Sequence, residues 1–126
     1  MTLSMGKTKF TQSITQSEPT REYNCKLWRL FPWGDKLETL KPINGFGAIW
    51  VHLEPKHEVE SHRHDEEEAF IVIHGSAKLT IEGEAFEISH GDVVHIPRNA
   101  EHQLSNHSET DTFSMIDLYW DQGSEA

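Results

Sequence analysis

The sequence contains a single cysteine, Cys25, in 126 residues. One thiol cannot form an intrachain disulfide, and it rules out a cysteine-based zinc site. Lys26 and Arg29 stand close enough in sequence to lower a thiol pKa, but free cysteine is among the most buried residue types, so Cys25 reads as a buried strand residue. Long apolar runs are also missing: nothing approaches the roughly 18 residues needed to cross a bilayer. The opening segment MTLSMGKTKFTQ carries charge and lacks the apolar centre of a secretory signal. The expectation is therefore a cytoplasmic protein without a membrane partner. Basic residues are scarce, 11 Lys and Arg against 21 Asp and Glu, giving a formal charge of −10. They are scattered, whereas binding a phosphate backbone requires clusters of them, so no nucleic-acid partner is expected. The acidity is read as a contribution to solubility. Helical periodicity is absent too, since no stretch sustains it for three turns.

What is present is a succession of short segments rich in β-branched and aromatic residues, separated by turn signals. Strands are expected at 25–31, 47–53, 69–74, 77–81, 84–88, 93–96, 102–106 and 112–120. The turns between them fall at Asn44-Gly45, His74-Gly75-Ser76, Glu82-Gly83 and His90-Gly91-Asp92. The run KLTIEGEAFEI places Glu82-Gly83 between two alternating segments, the signal of a tight hairpin. Eight or so strands without a helix give an all-β, jelly-roll-type sandwich or barrel, closed enough to hide its edges. Residues 1–20, rich in Ser, Thr and Gln, are expected to form a flexible or partner-packing arm. Residues 21–121 form the barrel, and 122–126 a frayed tail. A chain of this length fits one domain.

Nine histidines are present, and their placement matters more than their number. In an extended segment His62 and His64 point to the same side, and Glu68, four residues beyond His64, keeps that parity. His102 opens a later strand that can add a ligand from across a barrel. Imidazole and carboxylate without thiolate suit Fe, Mn, Zn, Ni or Cu in the divalent state. A polar loop with unrelated exposed histidines would also contain a His-x-His pair, so spacing has to decide.

That spacing resembles a known family. From its first histidine, HRHDEEEAFIVIHG (62–75) is similar to the first cupin motif: His-x-His, three residues, Glu, six residues, Gly. GDVVHIPRNAEHQLSN (91–106) resembles the second, with Pro97, His102 and Asn106 at the expected intervals. The two departures are Lys56 and Asn99, which stand where the family usually has glycine. Asn tolerates positive φ well, so that turn should survive, and neither change touches a ligand. The resemblance implies a cupin-type double-stranded β-helix. It also implies one divalent transition metal (Fe, Zn, Mn or Ni) on His62, His64, Glu68 and His102, and a homodimer.

If Glu68 faces inward, so do Phe70 and Val72, with Leu104 following His102. Glu66 shares that parity and is a candidate base or partner of a ligand histidine, while Asp65 and Glu67 read as a solvated charge run. His95 and His74 are strand histidines able to transfer protons near neutral pH, and His95 is taken with Glu66 as a catalytic candidate. Trp28, Trp33, Trp50, Tyr119 and Trp120 read as packing residues. Fold does not fix reaction. The resemblance allows a metal-dependent enzyme of the dioxygenase or isomerase/lyase type acting on a small polar metabolite. It also allows a non-catalytic binding module, including one that works beside a synthetase-like enzyme.

Overall fold

The computed structural model describes residues 11–31 and 45–121. Trp33 and its neighbours, Asn44, the first ten residues and the tail from 122 lie outside them. The chain is all-β, with two antiparallel sheets. Among the described residues no helix is long and apolar enough to cross a membrane, and the sole helical element is a 3-10 turn at Ile14–Gln16.

Nine strands follow: β1 Thr20–Glu22, β2 Cys25–Phe31, β3 Phe46–Leu53, β4 Glu67–His74, β5 Ser76–Ile81, β6 Glu84–Ser89, β7 Val93–Ile96, β8 His102–Ser105 and β9 Phe113–Trp120. One sheet has the order β1-β2-β3-β9-β4-β7 and the other β6-β5-β8. All eight expected strands are present with ends shifted by two residues at most. β1 was not foreseen. It pairs with β2, Glu22 opposite Cys25, which leaves Tyr23-Asn24 as a two-residue turn. Much of the described part of the expected arm lies along β2 of the same chain. Trp28 donates its indole N–H to the Ser17 carbonyl at 3.0 Å, and the Gln12 amide reaches Leu30 O at 3.2 Å.

Period-two patterning sends one side of each strand into a shared core. Phe70 and Val72 on β4, Ala77 and Leu79 on β5, and Phe113 and Met115 on β9 are buried, with Leu79, Leu53 and Phe113 fully so. Asn106 makes the polar join. Its amide donates to Leu53 O at 3.0 Å and Asp111 O at 2.8 Å, and its side-chain oxygen accepts from Ser108 N at 3.0 Å. This satisfies the backbone of the β8–β9 loop at a site only 2% exposed.

Lys56 and Asn99 adopt φ +63° and +62°, so both positions keep the left-handed backbone that glycine takes without strain. At Gly75, φ +81°, an added Cβ would lie 2.8 Å from Thr112 O, so space and conformation both demand glycine. Two substitutions should therefore move stability in opposite directions. Lys56→Gly should raise unfolding free energy by about 0.5–1 kcal/mol, the relieved left-handed strain less the added unfolded-state entropy. Gly75→Ala should lower it by about 2 kcal/mol or more. Urea denaturation of both variants checks this, and destabilisation by Lys56→Gly would contradict the backbone account.

Candidate metal centre

The candidate ligands are brought together by backbone pairing between the β3–β4 connection and the start of β8. His62 and His102 form an antiparallel bridge and exchange both hydrogen bonds, His62 N to His102 O at 3.0 Å and His102 N to His62 O at 2.9 Å. Two residues on, the His64 carbonyl accepts from Asn99 N at 2.8 Å. The left-handed turn at Asn99 thus joins the second motif to the first. The imidazole centroids of His62 and His102 are 4.4 Å apart, and those of His62 and His64 4.6 Å.

The rings are fixed in a ligand-presenting orientation. Nδ1 of His62 lies 2.8 Å from Glu60 O, and Nδ1 of His102 lies 2.9 Å from Ala100 O. A carbonyl can only accept, so each Nδ1 carries a proton, and the neutral ring then presents its lone pair at Nε2. His102 Nε2 is buried without a hydrogen-bond partner. It lies 3.3 Å from Glu68 Oε1 without the alignment of a hydrogen bond. The nitrogen donors of His62, His64 and His102 lie within 4.8 Å of one another, as do the donors of His64, Glu66 and Glu68. A buried lone pair without a partner, among donors at this spacing, fits a metal ion.

Burial and charge act against each other here. Burial raises the Glu68 carboxyl pKa, but His102 and Asp117 beside it outweigh burial and hold it below the usual range. Burial lowers the His102 imidazole, and the Glu68 carboxylate more than offsets that. His64 is lowered, chiefly by burial. Glu66 is pushed up to about 6 by burial and then by the charge of Glu68. Asp117 is raised well above the ordinary carboxyl value by burial and then by Glu68.

A cavity of about 180 Å³ opens onto these residues. His62, His64, Glu68 and His102 all line it, and so does Glu66, which is 8% exposed. The neighbours of Glu66 in sequence turn outward. Arg98 binds Asp65 at 2.7 Å and Asp121 at 2.6 Å, with Glu67 at 3.8 Å. His95 is not brought to the site. It pairs with Glu67 at 2.8 Å, stacks on Trp120, and its side chain is 57% exposed. It lies opposite Ala69 in the β4–β7 register, so its side chain shares the outward parity of Ala69, opposite to that of Glu68. His74 is exposed at the end of β4.

Among the cavity residues that were not foreseen are Asp117, Tyr119 and Tyr23. Met115, Asp117 and Tyr119 alternate along β9 on the cavity side, so a charged residue at an inward position was the available signal for Asp117. Tyr119, expected as packing, lies over Gly47. A Cβ there would meet its ring at 2.2 Å. Tyr23 takes φ +54° at the β1–β2 turn, uncommon for an aromatic residue, and stacks on His62 at 5.5 Å, edge-on to His64 at 6.3 Å.

The family model described as Cupin domain matches residues 49–119. Among solved structures, the plu4264 protein from Photorhabdus luminescens is 30% identical over 89% of this chain and 88% of its own, with a TM-score of 0.75. A Cupin 2 conserved barrel domain protein from Salinispora arenicola is 26% identical over 88% and 87%, also at 0.75. A putative sugar phosphate isomerase from Acidithiobacillus ferrooxidans is 34% identical over 61% of this chain and 51% of its own, at 0.56.

Cys25 lies in the cavity wall, 2% exposed, with its thiol pushed up to about 11 by burial. A raised thiol pKa leaves little thiolate at pH 8. Ellman's reagent should leave Cys25 unmodified in native protein and titrate one thiol per chain after denaturation. Rapid native modification would contradict the burial.

Proposed function

Because the chain belongs to the cupin family, we propose that it binds one divalent transition metal (Fe, Zn, Mn or Ni) through His62, His64, His102 and Glu68. In this reading it is a metal-dependent enzyme, of the dioxygenase or isomerase/lyase type, acting on a small polar metabolite. The observation that carries the reading is the orientation of His102, with Nδ1 bound to Ala100 O and the buried Nε2 left without a partner among the other donors. Such a nitrogen costs free energy unless something accepts its lone pair.

Bound there, a divalent ion would supply a Lewis acid able to polarise a substrate oxygen. The protein residues do the rest. The Nδ1 contacts of His62 and His102 hold the rings in place, and the apolar wall of Val51, Phe70 and Leu104 limits water around the substrate. Glu66 is buried beside the ligands and faces the same cavity, which makes it the group to move a proton on or off a bound molecule. Tyr23 forms one side of the entrance above His62. A homodimer in the cytoplasm completes the reading.

The double variant His62→Ala/His64→Ala should reduce metal content, measured by elemental analysis of untagged protein, from about one ion per chain to background. Glu66→Gln should keep the metal while lowering turnover of any substrate by about 100-fold or more. Undiminished metal in the double variant would overturn the assignment.

A further inference from the structure

The cavity wall beside the candidate ligands carries two carboxyl groups, Glu66 and Asp117, that the proposed four-ligand set does not use. Glu66 is more than nine-tenths buried and its Oε2 has no hydrogen-bond partner; Asp117 Oδ1 is likewise buried and unpartnered. Both residues line the same cavity as the histidines. The guanidinium groups nearby are committed elsewhere. Arg29 binds Glu22 through two contacts of 2.7 and 3.0 Å, and Arg98 holds Asp65 and Asp121 on the outer side. Buried acceptors without donors are costly, and a ligand that brings donors and positive charge removes that cost.

We propose that the cavity takes a small amine-bearing ligand, its ammonium group donating to Glu66 Oε2 and Asp117 Oδ1 while an oxygen of the same molecule faces the metal ligands. Placing that oxygen rests on the metal-centre reading; the ammonium site rests on the two acids. The arrangement disfavours phosphorylated and carboxylate ligands, which bring further acceptors to a wall whose free atoms are already acceptors. The volume of about 180 Å³ suits a compact molecule, since a cavity of about 150 Å³ holds benzene.

The test uses full-length protein loaded with Co(II), whose visible spectrum reports ligands entering the metal sphere. The probes are 3-amino-1-propanol, 1,3-propanediol and 3-hydroxypropanoate. The amino alcohol should bind about ten-fold or more tightly than the diol, and the hydroxy acid most weakly. In Glu66→Gln and in Asp117→Asn the amine preference should fall to about three-fold or less, with Co(II) content unchanged in Glu66→Gln. An equal or reversed order of the probes would overturn the proposal. So would an amine preference that survives in both variants, because that is simple ligation of amine to cobalt. Calorimetry on metal-free protein separates the two readings. An amine preference there without Co(II) uptake sinks the metal centre and keeps the acid site. Co(II) uptake without amine preference does the reverse.

Discussion

The bridge between His62 and His102 is the constraint on which the site depends. Its two backbone hydrogen bonds lock the connection after β3 against the first residue of β8. In such a pair the two side chains leave from the same face, so register alone directs both imidazoles into the cavity. A slip of one residue would send both imidazoles to the other side. The same register brings Ala100 O and Glu60 O within reach of the two Nδ1 atoms, so one pairing sets position and tautomer together.

Parity then divides the acidic run 65–68 between two environments. Asp65 and Glu67 meet Arg98 and His95 outside, where exposed ion pairs contribute little to stability. Glu66 and Glu68 turn into the cavity, where burial opposes their charge and only Glu68 gains a compensating imidazole. The candidate metal cluster and the acid wall thus meet at one cavity, Glu68 from β4 and Glu66 from just before it, His102 from β8 and Asp117 from β9. At the cavity entrance Tyr23 holds a left-handed backbone that costs of order 1–3 kcal/mol unless its surroundings offset it. Its stacking on His62 and the Asn24 amide bond to Glu58 O at 3.0 Å are the contacts that hold the turn in place.

The barrel strands were legible in the sequence from local period, and the resemblance to the two cupin motifs pointed to the His/Glu cluster that the fold gathers at one cavity. The inward positions of Phe70, Val72 and Leu104 followed from the parity of Glu68 and His102 and are buried as expected. Lys56 and Asn99 could be read as glycine substitutes because their neighbours kept the motif, and their backbone angles agree. Asp117 was passed over in a strand that reads as aromatic and aliphatic packing, although it shares the parity of Met115; its pairing with Phe70 and Ile49 confirms which way it faces. Tyr23 was missed because a Tyr-Asn turn lacks the usual glycine signal, and β1 has only three residues. His95 could not be oriented until the β4–β7 register placed it opposite Ala69.

X-ray absorption at the metal edge of zinc- or cobalt-loaded protein bears most directly on the central claim, because it counts imidazole ligands and does not depend on a substrate. The account predicts a nitrogen/oxygen shell near ~2.0–2.1 Å with the outer-shell scattering of three histidine rings. A spectrum showing one ring or none, or a metal held only by oxygen, would contradict it.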